Sequence, residues 1–260
     1  PSKTLDLGAS DCNDIFSLPV HSLEANELMG LLKKYTPLKL MTSMKVSKGL
    51  ASTVYSWHTE WKNHKTIKSA TKSNAKACAF AMKGEAFKFL DASNLSKYDL
   101  AYAQENLIVL SGLYGILRPC DLIMPYRLEM GQTFQISQEH KTLNSFWAPI
   151  YKKALTKKVN LSSSNFILNL ASDEYSKVVF KAGISSEIIT CHFKEESEKG
   201  FKSVSTYAKQ ARGSMAQFVI KNQIQNVEKL KSFNNLSYTF SHDLSASNNL
   251  VFTRPLINKK

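Results

Sequence analysis

The sequence predicts a mixed α/β fold in a single domain spanning residues 1–260, and three observations carry that prediction. Two short apolar runs, at residues 107–110 and 166–170, read as buried strands, and each is followed by small residues and then polar ones. Longer segments around them repeat apolar residues at three- and four-residue spacing, as amphipathic helices require. The chain's 260 residues, 43% of them hydrophobic, suffice to bury a full core. A central mixed sheet wrapped by helices follows.

The first 20 residues read as a loop, with Lys3 and Thr4 just past the end of a strand, where Lys3 meets an anionic group at the mouth of the sheet. Ser22 caps a helix to about residue 35; Glu24 and Glu27 lie where its dipole favours them, and Pro37 stops it. Residues 37–57 form two short amphipathic helices with a break at 46–49, one face carrying Leu40 and Met44 and the other Ala51 and Val54. Such a pair resembles a helix-hairpin-helix, whose turn offers backbone N–H groups to a DNA phosphate, although the usual Gly-x-Gly is absent. Trp57 and Trp61 read as core anchors. Residues 77–83 read as a strand ended by Gly84, and Ser96 caps a helix leading into the strand at 107–110. A helix is expected at 142–155, a linker at 162–164, and a strand at 166–170 before a helix capped by Ser172. Strands at 187–193 and 202–207 precede the longest amphipathic stretch, 208–224, with Ala211, Met215, Phe218 and Val219 as its buried stripe. Strands at 236–240 and 250–253 close the sheet, ending on Arg254.

The stretch 110–131 is too irregular for a helix or strand and too apolar for a solvated loop. Gly112 and Gly115 let backbone N–H groups turn towards a neighbour, and Pro119 and Pro125 stiffen the path. Only Arg118, Arg127, Arg212 and Arg254 among the 34 basic residues are arginine. A chain that otherwise uses lysine has kept arginine where a planar fork is needed. Arg118 and Arg127 flank Asp121 and adjoin Glu129, so each guanidinium either braces the loop through a carboxylate or faces a phosphate or base edge. Both readings can hold together. Arg212 shares a helix face with Lys209 and is expected in one pocket with Arg118, Arg127 and Glu174.

The charge of +13 is concentrated: residues 31–83 hold eleven lysines and one acid, Glu60, a net of +10. Lys39, Lys45, Lys48, Lys62, Lys65, Lys68 and Lys72 are the candidate contacts to duplex DNA. Cys12, Cys78, Cys120 and Cys191 are scattered without metal-ligand spacing, which fits a reducing compartment and excludes a structural zinc pattern. No apolar run approaches membrane-spanning length and no signal peptide is visible.

Residues 111–131, SGLYGILRPCDLIMPYRLEMG, closely resemble the signature block of the YaaA family of bacterial peroxide-stress proteins. Five further ordered blocks carry the resemblance: PSKTLD (1–6), KGE (83–85), NLASDEY (169–175), YAKQARG (207–213) and LVFTR (250–254). All four arginines fall within these segments. The resemblance implies a cytosolic protein that limits oxidative damage by keeping free iron low, binds double-stranded DNA, and has a positively charged cleft and a helix-hairpin-helix. It also implies a short apolar strand just before the block at Pro1, so the numbering is expected to begin after such a segment.

Two functions are therefore expected to compete. One is a monomeric, cytoplasmic stress protein that binds double-stranded DNA. The other is an enzyme acting on a nucleotide or nucleobase, with a pocket drawn from Lys3, Thr4, Lys83, Ser111, Gly112, Tyr114, Gly115, Arg118, Asp121, Tyr126, Arg127, Glu129, Ser172, Glu174, Lys209 and Arg212. Glu174 or Glu129 is then the proton carrier. No nucleophile elbow, P-loop or metal motif points to a particular reaction, and no cofactor is expected. Dispersed histidines without Glu-x-x-His spacing make any effect on iron indirect.

Overall fold

The computed structural model describes residues 5–6, 12, 15–133, 136–161 and 166–255. Helix α1 (Ser22–Leu32) buries Ala25, Leu28, Met29 and Leu32, and its N-cap is His21, one residue before the expected Ser22. Thr36 caps α2 (Pro37–Met44), with Pro37 in the first turn, where a missing N–H leaves no bond unmade. Lys45, left-handed at φ 51°, ends it, and Ser47 caps α3 (Lys48–Glu60) by accepting from Leu50 N at 3.3 Å. Leu40, Met44, Ala51 and Val54 enter one core, as does Trp61.

After α4 (Ile67–Thr71), residues 77–83 depart from the expected strand. Only β1 (Lys76–Ala77) is extended, antiparallel to Leu122–Ile123, and α5 (Cys78–Ala81) follows as one helical turn. The cause is tertiary: Cys78 N and Ala79 N donate to Asp121 O and Pro119 O, both at 2.9 Å, so the central stretch takes the bonds a sheet partner would have taken. Then come α6 (Glu85–Leu90) and α7 (Lys97–Asn106), the latter held by a capping box between Ser96 and Asp99. The strand expected at 107–110 is β2 (Val109–Ser111), which turns back as β3 (Gly115–Leu117), followed by β4 (Leu122–Ile123).

Helix α8 (Leu143–Asn160) leads to β5 (Phe166–Asn169), α9 (Asp173–Lys181), β6 (Glu187–Ser197) and β7 (Gly200–Lys202). Helix α10 (Ser205–Lys221) starts where a strand to residue 207 was expected; α11 (Val227–Leu230), β8 (Thr239–Phe240) and β9 (Asn249–Arg254) complete the chain. The larger sheet runs β5-β6-β9-β8, with β5, β6 and β9 parallel, β8 antiparallel, and β7 paired to the far end of β6. One core gathers α1 to α3, the central stretch, α8 and α9. A second gathers α10 and the larger sheet. Among the described residues, no helix is long and apolar enough to cross a membrane.

All four cysteines are free and buried. Burial pushes the Cys191 thiol up to about 12 and raises Cys78 as well. Neither is expected to label with a thiol reagent in the native protein, and both should label after denaturation. Mass spectrometry showing native modification of either would contradict the packing.

Candidate functional site

The lysine face comes first in the chain. Lys39, Lys45, Lys48, Lys62, Lys65, Lys68 and Lys72 are all exposed, and among the described residues none of them is in an ion pair. Lys39 rests its ammonium 4.1 Å over the Tyr35 ring. Two other lysines of the basic block are withdrawn from it: Lys76 is buried 3.4 Å from Asp6, and Lys83 pairs with the same carboxylate at 2.8 Å. The caps at Thr36 and Ser47 and the left-handed turn at Lys45 hold α2 and α3 as a tight helical pair bearing Lys39, Lys45 and Lys48.

The second feature is a cleft of about 610 Å³ between the two cores. Its apolar length runs between residues 107–110 and 166–170, and its polar end collects Glu85, Arg127, Glu129, Ser172, Glu174, Lys209 and Arg212. Arg127, 8% exposed, pairs through Nη2 with Glu129 at 2.7 Å. Glu174 accepts from Gly131 N at 2.8 Å. Arg212 Nε is buried without a hydrogen-bond partner; burial weighs against its charge, and Asp173 opposes that. Ser172 sits at the N-cap of α9, but its hydroxyl makes no capping bond, a correction to its expected role. Sequence reasoning left out Glu85, which Gln210 holds at 2.8 Å and which those bonds keep below the usual carboxylate range.

Arg127 and Arg212 thus share a cleft with Glu174, Glu129 and Lys209, while Arg118 does not line it. Arg118 instead clamps its own loop: Nη2 reaches Asp121 Oδ1 at 3.1 Å and its backbone N donates to Asp121 Oδ2 at 2.8 Å. Asp121 is fully buried and also accepts from Ser17 Oγ at 2.6 Å. Burial raises its carboxyl nonetheless. Asp121 could pair locally because it lies one turn from Arg118, so the bracing reading holds for this arginine.

Ser111, Gly112, Tyr114 and Gly115 are likewise internal. Ser111 Oγ shares a 2.6 Å bond with Tyr126 OH at the cleft wall and accepts from Tyr114 N at 3.0 Å. A Cβ on Gly112 would run into the Leu128 carbonyl, so glycine is what lets this turn lie against the segment bearing Arg127. Tyr114 OH accepts from Trp61 Nε1 at 2.8 Å and from Met124 N at 3.0 Å. The carbonyls of Gly112 and Gly115 accept from Trp147 Nε1 at 2.9 Å and Tyr151 OH at 3.0 Å. These residues build the shelf rather than the cleft lining. Lys3 and Thr4 lie outside the described residues. Among the described residues, no three His, Cys, Asp or Glu side chains gather as metal ligands.

His58 positions Arg127 from behind, and no pattern in the sequence marked it. It is 1% exposed, and its Nε2 accepts from Arg127 N at 3.3 Å, which requires a bare nitrogen. Burial lowers its pKa to about 4. The unfolded chain takes this proton near pH 6.5 while the fold refuses it until about 4, so stability is full above 6.5 and falls as pH drops through that window. About 3 kcal/mol is expected to be lost between pH 7 and 4 from this group. Urea titrations should show the loss shrinking in His58→Gln, and equal pH slopes in both proteins would contradict the assignment.

Comparison with known proteins adds an independent line. The family model described as peroxide stress protein YaaA matches residues 1–244. A UPF0246 protein of Aliivibrio fischeri (strain MJ11) is 39% identical over 259 residues, covering 100% of this chain and 98% of that protein. A UPF0246 protein of Marinomonas sp. (strain MWYL1) is 38% identical over 257 residues, 98% of this chain and 95% of that one. Another, from Shewanella baltica (strain OS223), is 36% identical over 254 residues, 98% and 96% respectively.

Proposed function

The chain belongs to the peroxide stress protein YaaA family, and on that premise we propose that it serves the response to hydroperoxide by binding double-stranded DNA through the lysine face of α2 to α4. The observation that supports this reading is the set of seven exposed lysines with no ion pair among the described residues. Each presents an ammonium to solvent, and a duplex phosphate is the partner that such a surface collects in number. Lysines seated on phosphates release the cations condensed there, iron(II) among them, which is how DNA binding would limit iron-dependent damage. The effect on iron then acts through the nucleic acid.

The test is fluorescence anisotropy with labelled duplexes. Reversing Lys45, Lys48 and Lys72 to Glu should weaken binding at least ~100-fold, since three phosphate contacts become repulsions. Unchanged melting temperature would show that the fold is intact, and unchanged affinity would overturn the reading.

A second reading is favoured by Arg212. Its buried, unpartnered Nε lies with Lys209 and the uncommitted Ser172 hydroxyl at the polar end of the cleft, an arrangement suited to the phosphate or base edge of a nucleotide. Glu174 is the candidate proton carrier there. A panel of nucleotides screened by thermal shift should include one that stabilises the protein and loses its effect in Arg212→Gln; no shift from any member would count against this reading.

A further inference from the structure

The apolar length of the cleft is bounded as a strand position in a sheet is bounded. Residues 107–110 line one side without a break and residues 166–170 line the other. Successive side chains of a strand point to opposite faces, so an unbroken run along a cavity wall presents the strand's edge, backbone groups included. Among the described residues, β2 is hydrogen-bonded to β3 alone and β5 to β6 alone, so the two edges facing each other across the cleft have no strand partner. The other walls are helical: Gly213, Ala216 and Ile220 from α10, and Leu155, Tyr175 and Val179 from α8 and α9. Open strand edges are normally charged, kinked or covered. Neither β2 nor β5 carries a charged residue or a proline.

We propose that this trough is a strand slot, filled by an extended apolar segment that enters from the amino-terminal end of the chain, ahead of Pro1, and joins β2 and β5 into one continuous sheet. The route is short. Leu5 bridges to Met82 and Asp6 N donates to Ala81 O at 2.7 Å, while residues 84–87, only two positions beyond Met82, line the cleft. Each wall offers four to five residues, which matches a strand of about 13–17 Å. Helices flank the slot as well, so its occupant should be apolar on both faces, a continuous run of Val, Ile or Leu rather than an alternating one. The polar end, with Arg127, Glu174 and Arg212, stays open to a ligand, and the inference stands whether or not the lysine face binds DNA.

Hydrogen exchange of the full chain tests the slot directly. Three forms are compared: the chain beginning at Pro1, the same chain preceded by about six β-branched apolar residues, and one preceded by a charged segment of equal length. The apolar extension should slow exchange of the amides in Val109–Ser111 and Phe166–Asn169 by at least about tenfold and raise the melting temperature, with a monomer mass in sedimentation. The charged extension should do neither. Unchanged exchange at those amides would overturn the proposal. Equal protection by the apolar segment added as a free peptide, or protection that grows with protein concentration alongside a dimer mass, would assign the slot to a partner or a second copy and overturn it too.

Discussion

Gly213→Ala is expected to cost about 3 kcal/mol or more, despite adding only one methyl group. Gly213 lies on α10 where it crosses α6, and a Cβ there would run into the carbonyl oxygen of Ala86, with Ala86 C at 2.8 Å and Cα at 3.0 Å. Those atoms are backbone, so relief requires the two helices to separate. Arg212 and Lys209 ride on α10, and Glu85 on α6, so the polar end of the cleft would widen along with the loss of stability. Gly30 supplies the contrast, being exposed near the end of α1 with nothing within 4 Å of its would-be Cβ. Alanine there should stabilise by roughly 0.5 kcal/mol through helix propensity. Denaturant unfolding of the pair decides the matter: similar values for both would mean that α6 and α10 do not approach as described.

The second large effect is expected at the far edge of the larger sheet. Arg254, 6% exposed, pairs with Glu195, 3% exposed, and lies with its guanidinium 4.6 Å from the ring centres of both Tyr207 and Tyr238. Tyr238 OH donates to the same carboxylate, and Arg254 Nη1 donates to Leu236 O at 3.2 Å. Arg254→Leu leaves Glu195 buried and without its cation, which should cost about 3–5 kcal/mol. Adding Glu195→Gln should recover a measurable part of that loss, because the uncompensated charge is gone. A double variant no more stable than Arg254→Leu alone would show that packing on the two tyrosines, rather than the charge pair, carries the effect.

These two sites also show how far the sequence could be read. The scarcity of arginine singled out four positions, and each proved to need its planar fork, but scarcity says nothing about what stands opposite. For Arg118 the partner was legible, because Asp121 is three residues on. For Arg254 it was not, since Glu195 lies 59 residues away on a neighbouring strand of the sheet. Arg127 and Arg212 meet across the cleft only because two cores pack side by side, which no local pattern encodes. The strands at 107–110 and 166–170 and the helices at 37–60 were legible because apolar runs, caps and Pro37 all agree there. Residues 77–83 were misread because their length and apolar content suit a strand, whereas the carbonyls of Pro119 and Asp121 decide the outcome. His58 was invisible for a related reason: a lone histidine on a lysine-rich helix gives no sign that a backbone N–H 69 residues later will seek its ring.

The lysine face is the central claim, and the dependence of duplex binding on salt tests it most directly. If the seven exposed lysines act through phosphates, the logarithm of affinity should fall linearly with the logarithm of salt concentration, with a slope of about −3 to −6 that is the same for unrelated sequences. The slope should collapse towards zero in the Lys45, Lys48 and Lys72 reversal. A flat salt dependence in the unaltered protein, or an affinity that follows base sequence, would contradict the account.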